Sequence, residues 1–320
     1  MALPTDGRQI TDILTETTDV YMDDLHDQVY KSNPLLVRLM SKGRVIEGGA
    51  QLRQGFIYDK VPGGAYAAGG TFDTSITQTK TQFIWPWTRY YGACNLDGLT
   101  EIINQGPYAV VSSVEVILEQ ARQRISDDIG TDLLQADGTD ATRIVGLAGY
   151  VNDGTLAANS TYGGITYGTD TLGSSVKAQV NSTGGPFSLS VLNQDFGKAT
   201  IQPSKPDLIL LTQTLWDKLW ERVQPSQRIE DPGFNDLTNV GYQVVRFNGA
   251  DCVVESHMLS GQIIGLNTDY LELITLQGRN MVFEGWFRPA NADQRIGQVL
   301  WSGNLKGASP RLNFIETSIT

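Results

Sequence analysis

The longest regular pattern of apolar positions in the chain lies between residues 110 and 133. Eight apolar side chains recur there at steps of three and four residues: Val110, Val114, Ile117, Leu118, Ala121, Ile125, Ile129 and Leu133. This spacing is typical of one face of an amphipathic helix. It predicts a helix of about thirty residues, roughly 45 Å long, that opens after Gly106-Pro107 and ends at Asp137-Gly138. A helix of this length needs a sheet or another helix along its apolar face.

Before this helix, two runs rich in β-branched and aromatic residues, 51–61 and 77–91, predict extended strands. They enclose residues 62–70, which contain four glycines and predict a flexible tip. Two strands of this length would form an arm of about 40–50 Å. Its apolar side chains fall on both faces, and an isolated hairpin can bury neither face by itself. We therefore expect another surface to cover this arm.

The other segments predict helices and strands without regular alternation. Acidic residues dominate positions 11–27, and Asn33-Pro34 predicts the start of a short helix that ends at Gly43. Residues 138–200 are rich in Gly, Thr, Ser and Asn and predict loops with short strands. After them come a strand (207–211), a helix (214–223), a hairpin turn at Asn248-Gly249 and five further strands (262–266, 271–276, 281–287, 297–301 and 312–316). This order predicts an α+β chain.

Composition narrows the classes of function. Apolar residues make up 40% of the chain, charged residues only 18%, and the net charge is −11. The apolar content excludes a wholly disordered chain, and the excess of acid disfavours a protein that binds nucleic acid through its phosphates. Two cysteines, Cys94 and Cys252, are too few for a disulfide scaffold, so we expect free thiols. No apolar run is long enough to span a bilayer and no secretory signal is visible, so we expect a soluble chain made in a cytosol.

The sequence contains none of the common catalytic motifs: no phosphate-binding glycine loop, no nucleophile elbow and no zinc-protease helix. Its two histidines, His26 and His257, are expected to be surface or capping residues. Asp269, Glu272 and Glu284 lie near the ends of predicted strands, where a glycosidase pair could form, but such carboxylates are more often solvated. We therefore expect no catalytic residue, no cofactor and no metal ion.

A series of short segments then follows in a characteristic order. They are residues 33–39 with Gly43, 72–75 with 83–85, 98–106, 144–147, 162–165, 206–210, 247–254 and 265–273. In this order they resemble the major capsid proteins of tailed bacteriophages, which have the Hong Kong phage-type capsid fold. The resemblance spans nearly the whole chain.

This resemblance implies an α+β fold with an N-terminal arm, an extended β-hairpin loop, a long spine helix, and peripheral and axial domains. It divides the chain into an N-terminal arm (1–43), an extended loop (44–96), a peripheral domain with the spine helix (97–140), an axial domain (141–269) and further peripheral strands (270–320).

The resemblance also implies a structural protein without catalytic activity. Its copies would form pentamers and hexamers that tile an icosahedral shell around double-stranded DNA, without sequence-specific binding and with portal and scaffolding proteins as partners. It would be located in the virion capsid, made in the host bacterial cytoplasm and have no membrane contact. The candidate inter-subunit contacts are aromatic residues of the arm: Phe56, Tyr58, Tyr66, Phe72, Phe83, Trp85 and Trp87.

Two other interpretations stay open at this point. An encapsulin-like compartment that encloses protein cargo would use the same architecture. A carbohydrate-active enzyme or binding module, from a different class, would use the tryptophan-rich strands and the scattered carboxylates.

Overall fold

The computed structural model describes residues 33–103, 113–156, 161–167, 176–223 and 244–320. The helices in these ranges are α1 (Pro34–Ser41), α2 (Gly98–Ile103), α3 (Ser113–Gln135), α4 (Leu147–Tyr150), α5 (Leu189–Ala199) and α6 (Gln213–Val223). The first strands are β1 (Arg44–Ile46), β2 (Gln51–Ile57), β3 (Lys80–Pro86), β4 (Thr88–Asp97), β5 (Thr161–Tyr162), β6 (Ile165–Thr166) and β7 (Gln179–Asn181). They are followed by β8 (Leu208–Leu211), β9 (Val244–Phe247), β10 (Ala250–Val254), β11 (Ile263–Leu266), β12 (Leu271–Leu276), β13 (Val282–Phe287), β14 (Gln294–Gly307) and β15 (Phe314–Glu316).

The first sheet is built around the long strand β14. Strand β4 pairs with β14 along ten residues, and β12 and β13 pair with it one after the other. Strand β1 adds to the outer side of β12 in parallel. Strands β2 and β3 form a separate two-stranded ribbon, and β5 and β6 form another.

Helix α3 packs against one face of this sheet. Ile125, Ile129 and Leu133 are buried there, as the apolar spacing predicts. The backbone of β4 approaches the helix so closely at Gly92 that a Cβ atom would lie 2.6 Å from the carbonyl oxygen of Ala121. The predicted helix end is confirmed within two residues, whereas residues 104–112 lie outside the described ranges.

The second sheet has the strand order β7-β15-β11-β8-β10-β9 and forms the other core with α5 and α6. Leu192 and Phe196 of α5 and Leu215 and Leu219 of α6 are buried in this core. The predicted Asn248-Gly249 turn joins β9 to β10, and both of its residues have positive φ angles, 50° and 84°. This conformation is that of the tight hairpin turn that the Asn-Gly pair favours.

Two segments differ from their expected placement. Residues 189–199 are predicted as loop but form α5, whose buried Leu192, Phe196 and Ala199 recur at helical steps. The resemblance groups residues 270–320 as peripheral strands, whereas β15 pairs with β11 in the second sheet. Phe314 fits there because Gly265 lies opposite it, and a Cβ at Gly265 would meet the Phe314 ring at 1.9 Å.

A buried carboxyl group secures the end of β15. Glu316 is 5% exposed, and burial together with the neighbouring Asp195 of α5 raises its pKa to about 7. Asp195 in turn accepts a hydrogen bond from the side chain of Asn181 in β7 and pairs with Lys198 at 2.7 Å. The cluster therefore joins β7, β15 and α5, and it holds a proton on Glu316 that an unfolded chain releases at a lower pH.

We expect Glu316 to make the stability of the chain depend on pH. Because its folded pKa is raised from 4.5 to about 7, its stabilising contribution is complete below pH 4.5 and is lost as pH rises to about 7. The substitution Glu316→Gln keeps a neutral hydrogen-bond donor, so its free energy of unfolding should stay flatter over this window and exceed that of the parent at pH 8, by up to about 3 kcal/mol. Urea denaturation from pH 4.5 to 8 measures this difference.

The exposed Glu119→Gln change on α3 is the matched control and should follow the parent chain at every pH. Equal slopes for the parent and Glu316→Gln would contradict the assignment of the proton to Glu316.

Candidate interaction surface

The ribbon formed by β2 and β3 is anchored to the body of its own chain. Phe83 and Trp85 alternate along β3 and point to the same side, where their rings pack edge-on against Tyr162 at centroid distances of 6.0 and 6.1 Å. The amide of Ile84 donates a hydrogen bond to the carbonyl oxygen of Gly163 at 2.9 Å. The short β5–β6 hairpin therefore covers the base of the arm.

This anchoring corrects two of the candidate contact residues. Phe83 and Trp85 are 0% and 2% exposed within one chain, so they have no surface to offer to a second copy. The expectation that another molecule must cover them is wrong because residues distant in sequence, at Tyr162 and Gly163, supply the cover. A Cβ atom at Gly163 would lie 2.7 Å from the Phe83 ring, so glycine allows this contact.

Phe56 and Tyr58 lie between the buried pair Phe83 and Trp85 and the tip, whereas Trp87 lies at the base of the ribbon, beyond Trp85. Phe56 is partly buried and stacks on Phe83 with ring centroids 4.3 Å apart. The indole nitrogen of Trp87 donates to the carbonyl oxygen of Gly49 at 2.7 Å, and Tyr58 donates its hydroxyl hydrogen to the backbone of the returning segment. Part of the surface of each of these rings is therefore covered by the chain itself.

Beyond Tyr58 the arm is almost entirely exposed. From residue 59 to residue 78 every residue except Pro62 is exposed. Tyr66 and Phe72 face each other across the turn with ring centroids 4.8 Å apart, yet they remain 68% and 66% exposed. Three further apolar side chains of the arm are equally uncovered: Ile57, Val61 and Ile76. None of these three is among the contact residues predicted from the sequence, although they lie in the same stretch with few charged residues.

A second uncovered apolar surface lies on the first sheet, opposite α3. The alternation of β4 turns Gly92 and Cys94 towards the helix and Tyr91 away from it. Tyr91 is exposed, and Leu300 and Val282 lie beside it in register on the neighbouring strands β14 and β13. Phe287 is also exposed and is in register with Ile296. The period-two pattern of residues 88–97 contained the signal for this face.

The two surfaces belong to different parts of the chain. One is the arm tip, centred on Tyr66 and Phe72, and the other is the sheet face, centred on Tyr91 and Val282. Contiguous exposed apolar surface on a soluble chain commonly marks a contact with another molecule. Since the two surfaces are not copies of one patch, a contact between them in two molecules would be head-to-tail.

The carboxylates considered for catalysis are engaged in separate surface ion pairs. Glu272 pairs with Lys306 at 3.0 Å, Glu284 with Arg279 at 2.8 Å, and Asp269 with Lys42 at 3.1 Å. Three carboxylates with three different cations do not resemble the acid and base pair of a glycosidase. Among the described residues there is no group of three or more His, Cys, Asp and Glu side chains placed to hold a metal ion.

Both cysteines and the histidine in the described ranges are buried inside the fold. Cys94 and Cys252 are free and buried, and burial raises the pKa of both thiols. His257 is buried with carboxylates on both sides, so the expectation of a surface or capping histidine is wrong there, while His26 lies outside the described residues. The helices of the described ranges also lack the combination of length and apolar composition that would let one cross a bilayer.

Comparison of the sequence with known proteins finds no relative. No protein-family model matches the chain, and no curated protein is similar to it. Solved structures, in contrast, match it along almost its entire length. The capsid asymmetric unit of cyanophage A-1(L) has a TM-score of 0.72 at 15% identity, and the match covers 95% of this chain and 97% of that one. The chain has the Hong Kong phage-type capsid fold.

Two further structures have the same fold. The capsid of a native GTA particle computed with C5 symmetry matches with a TM-score of 0.58 at 8% identity, over 97% of this chain and 98% of that one. A chain of Mycobacterium phage Adephagia matches with a TM-score of 0.56 at 11% identity, over 98% of each chain. The fold class expected from the sequence is thereby confirmed.

The buried base and the exposed tip of the arm can be compared by replacing one phenylalanine in each with alanine and measuring the free energy of unfolding. Phe83→Ala should lower the free energy of unfolding by about 3–5 kcal/mol, because it opens a cavity among Trp85, Phe56 and Tyr162. Phe72→Ala removes the same atoms from an exposed ring and should change it by about 0.5 kcal/mol or less. Urea denaturation of the dilute, unassembled subunit provides both values. Similar losses at the two positions would contradict the division of the arm.

Proposed function

We propose that this chain is the major capsid protein of a tailed bacteriophage, whose copies assemble into the icosahedral shell that encloses the double-stranded DNA genome. The observation that carries this proposal is the match in fold over 95–98% of the chain to structures from phage capsids and a GTA particle. A match over 95–98% of the chain extends well beyond a single common domain.

The geometry of the subunit supports self-association. The exposed arm tip of one copy and the exposed sheet face of another can bury each other's apolar surface, which neither copy buries alone. A head-to-tail contact of this kind closes into a ring when the rotation between copies divides a full turn, as in a pentamer or hexamer. Many such contacts of modest strength give a durable shell through multivalency.

The charge of the chain suits a container for DNA. With a net charge of −11, the shell holds DNA by enclosure and without sequence-specific binding. We place the protein in the virion capsid after synthesis in the host bacterial cytoplasm, and we infer portal and scaffolding proteins as partners from the general need to fill and size such a shell.

A catalytic role is not proposed, since the described carboxylates form separate ion pairs and the described histidine is buried. None of the similar structures named above is an encapsulin-like compartment or a carbohydrate-active protein. Both alternatives would make a testable difference: a compartment would package protein in place of DNA, and a carbohydrate-active protein would bind or cleave glycans as a monomer.

The proposal is tested by expressing the full chain and examining it by negative-stain electron microscopy and analytical ultracentrifugation. We expect ring-shaped oligomers or closed shells, favoured by higher concentration. A chain that remains monomeric at high concentration, in the presence and absence of co-expressed phage assembly proteins, would contradict the proposal. Glycan hydrolysis by that monomer would support the carbohydrate-active alternative.

The role of the arm tip is tested with the double substitution Tyr66→Ser and Phe72→Ser. Because both rings are exposed in the single chain, the variant should keep the circular dichroism spectrum and thermal unfolding of the parent but fail to form regular shells. The matched control is Tyr66→Phe with Phe72→Tyr, which keeps both rings and should assemble. Normal shells from the serine variant would remove the arm tip from the proposed interface.

A further inference from the structure

His257 lies buried between two carboxylates from different parts of the chain. It follows β10 in a short loop, and it is 4% exposed. Its Nδ1 atom is 3.2 Å from Oε1 of Glu255 in the same loop. Its Nε2 atom is 2.9 Å from Oδ1 of Asp127, which lies 130 residues earlier on α3. The imidazole ring therefore bridges the edge of the second sheet and the long helix of the first.

Glu255 extends this bridge to a third element. Its other oxygen, Oε2, accepts a hydrogen bond at 3.2 Å from the backbone amide of Leu35, in the first turn of α1. Glu255 is 1% exposed, so neither of its oxygens can exchange a lost partner for bulk water. The same carboxylate thus holds the N-terminal turn of α1 and one side of the imidazole ring.

The rest of α1 is held by contacts that do not involve His257. Arg38 pairs with Asp207 at 2.8 Å, and Lys42 donates to Thr268 and Asp269. These contacts fix the middle and the C-terminal end of the helix. The first turn relies on Glu255 and on the cap at Asn33, whose side chain accepts from the Leu36 amide at 2.8 Å.

The two protonation states of His257 differ in how many carboxylates they satisfy. A protonated imidazole donates from both ring nitrogens and can pair with Glu255 and Asp127 together, whereas a neutral ring donates from only one. Among the described residues, those two carboxylates are the charged groups that act on the ring, and Gln135 donates a hydrogen bond to the backbone carbonyl of His257 at 2.7 Å. The hydrogen bond to Glu255 raises the pKa of His257, burial opposes the rise, and the contact with Asp127 adds to it.

We propose that Glu255, His257 and Asp127 form a proton-operated latch that fixes the first turn of α1 to the junction of the two sheets. With the ring protonated, the latch is closed and Glu255 carries both of its contacts. The proton leaves Nδ1, whose contact at 3.2 Å is the longer of the two, so Glu255 then faces a lone pair, which loosens Glu255 and the Leu35 amide that it holds. The latch therefore controls how firmly the first turn of α1 is attached to the rest of the fold. It does not depend on the assembly of the chain.

The direction of the effect follows from proton linkage. Since the folded pKa lies above the ordinary value of about 6.5, the latch stabilises α1 fully below that value. Its contribution is lost as pH rises through the folded pKa. For each pH unit by which the folded pKa exceeds 6.5, the equilibrium constant that favours the closed first turn falls tenfold when His257 loses its proton.

The experiment uses the full chain in two measurements. Exchange of the histidine C2 hydrogen, followed by mass spectrometry, gives the pKa of His257, and a His26→Gln variant leaves it as the only histidine. Amide hydrogen exchange from pH 6 to 9, corrected for intrinsic rates, gives the protection of residues 33–41 relative to β8. We expect a His257 pKa above 6.5, and α1 protection that falls through this pKa while that of β8 does not.

Variants separate the latch from a merely structural contact. Glu255→Gln can still accept from the Leu35 amide but cannot attract the imidazolium, so it should lower the His257 pKa and make α1 protection independent of pH. Asp127→Asn should lower the pKa as well, whereas Asp128→Asn, at the adjacent residue that pairs with Arg124, should not. These variants serve even if His257→Gln fails to fold. A His257 pKa at or below 6.5, or α1 protection that still varies with pH in Glu255→Gln, would overturn the proposal.

Discussion

Close packing between α3 and β4 is the contact on which the rest of the structure depends. Gly92 lets the helix lie directly on the strand, and Ile125 and Ile129 then bury one face of the first sheet. A sheet has two faces, so committing this one to the core leaves the face of Tyr91 without cover. The position of the helix therefore determines both the stability of the subunit and the surface it presents to other molecules.

Aromatic side chains have different roles at the base and at the tip of the arm. At its base, aromatic rings meet Tyr162 and contribute to the free energy of folding. At its tip, similar rings on Tyr66 and Phe72 contact each other but stay exposed, because no described residue outside the tip covers them. The anchored base fixes the direction of the arm when the chain folds. The uncovered tip leaves apolar surface available to a partner. This arrangement costs little stability, since the exposed rings are few and lie on polar, glycine-rich backbone.

Acidic residues in the interior make the subunit sensitive to pH in two places. The cluster of Glu316, Asp195 and Asn181 joins β15, α5 and β7, and Glu255 joins α1 to the junction of the sheets. In both clusters the folded chain holds a proton more tightly than the unfolded chain does, so stability falls in the same direction as pH rises. In a chain with a net charge of −11, the buried side chains of Glu316 and Glu255 are stabilised by sharing protons or hydrogen bonds with their neighbours.

The sequence by itself determined the elements that depend on short-range geometry. The stripe through Ile125 and Ile129, the Asn248-Gly249 turn and the strand at 271–276 follow from periodicity and backbone preference, and all three are present. Only the tertiary structure decided which faces are covered and which distant residues meet. Phe83 is buried by a hairpin some eighty residues later, β15 returns to the second sheet, and His257 contacts a carboxylate 130 residues away. Local sequence patterns show that a side chain must be buried or paired. Which residue it contacts depends on the packing of the whole chain.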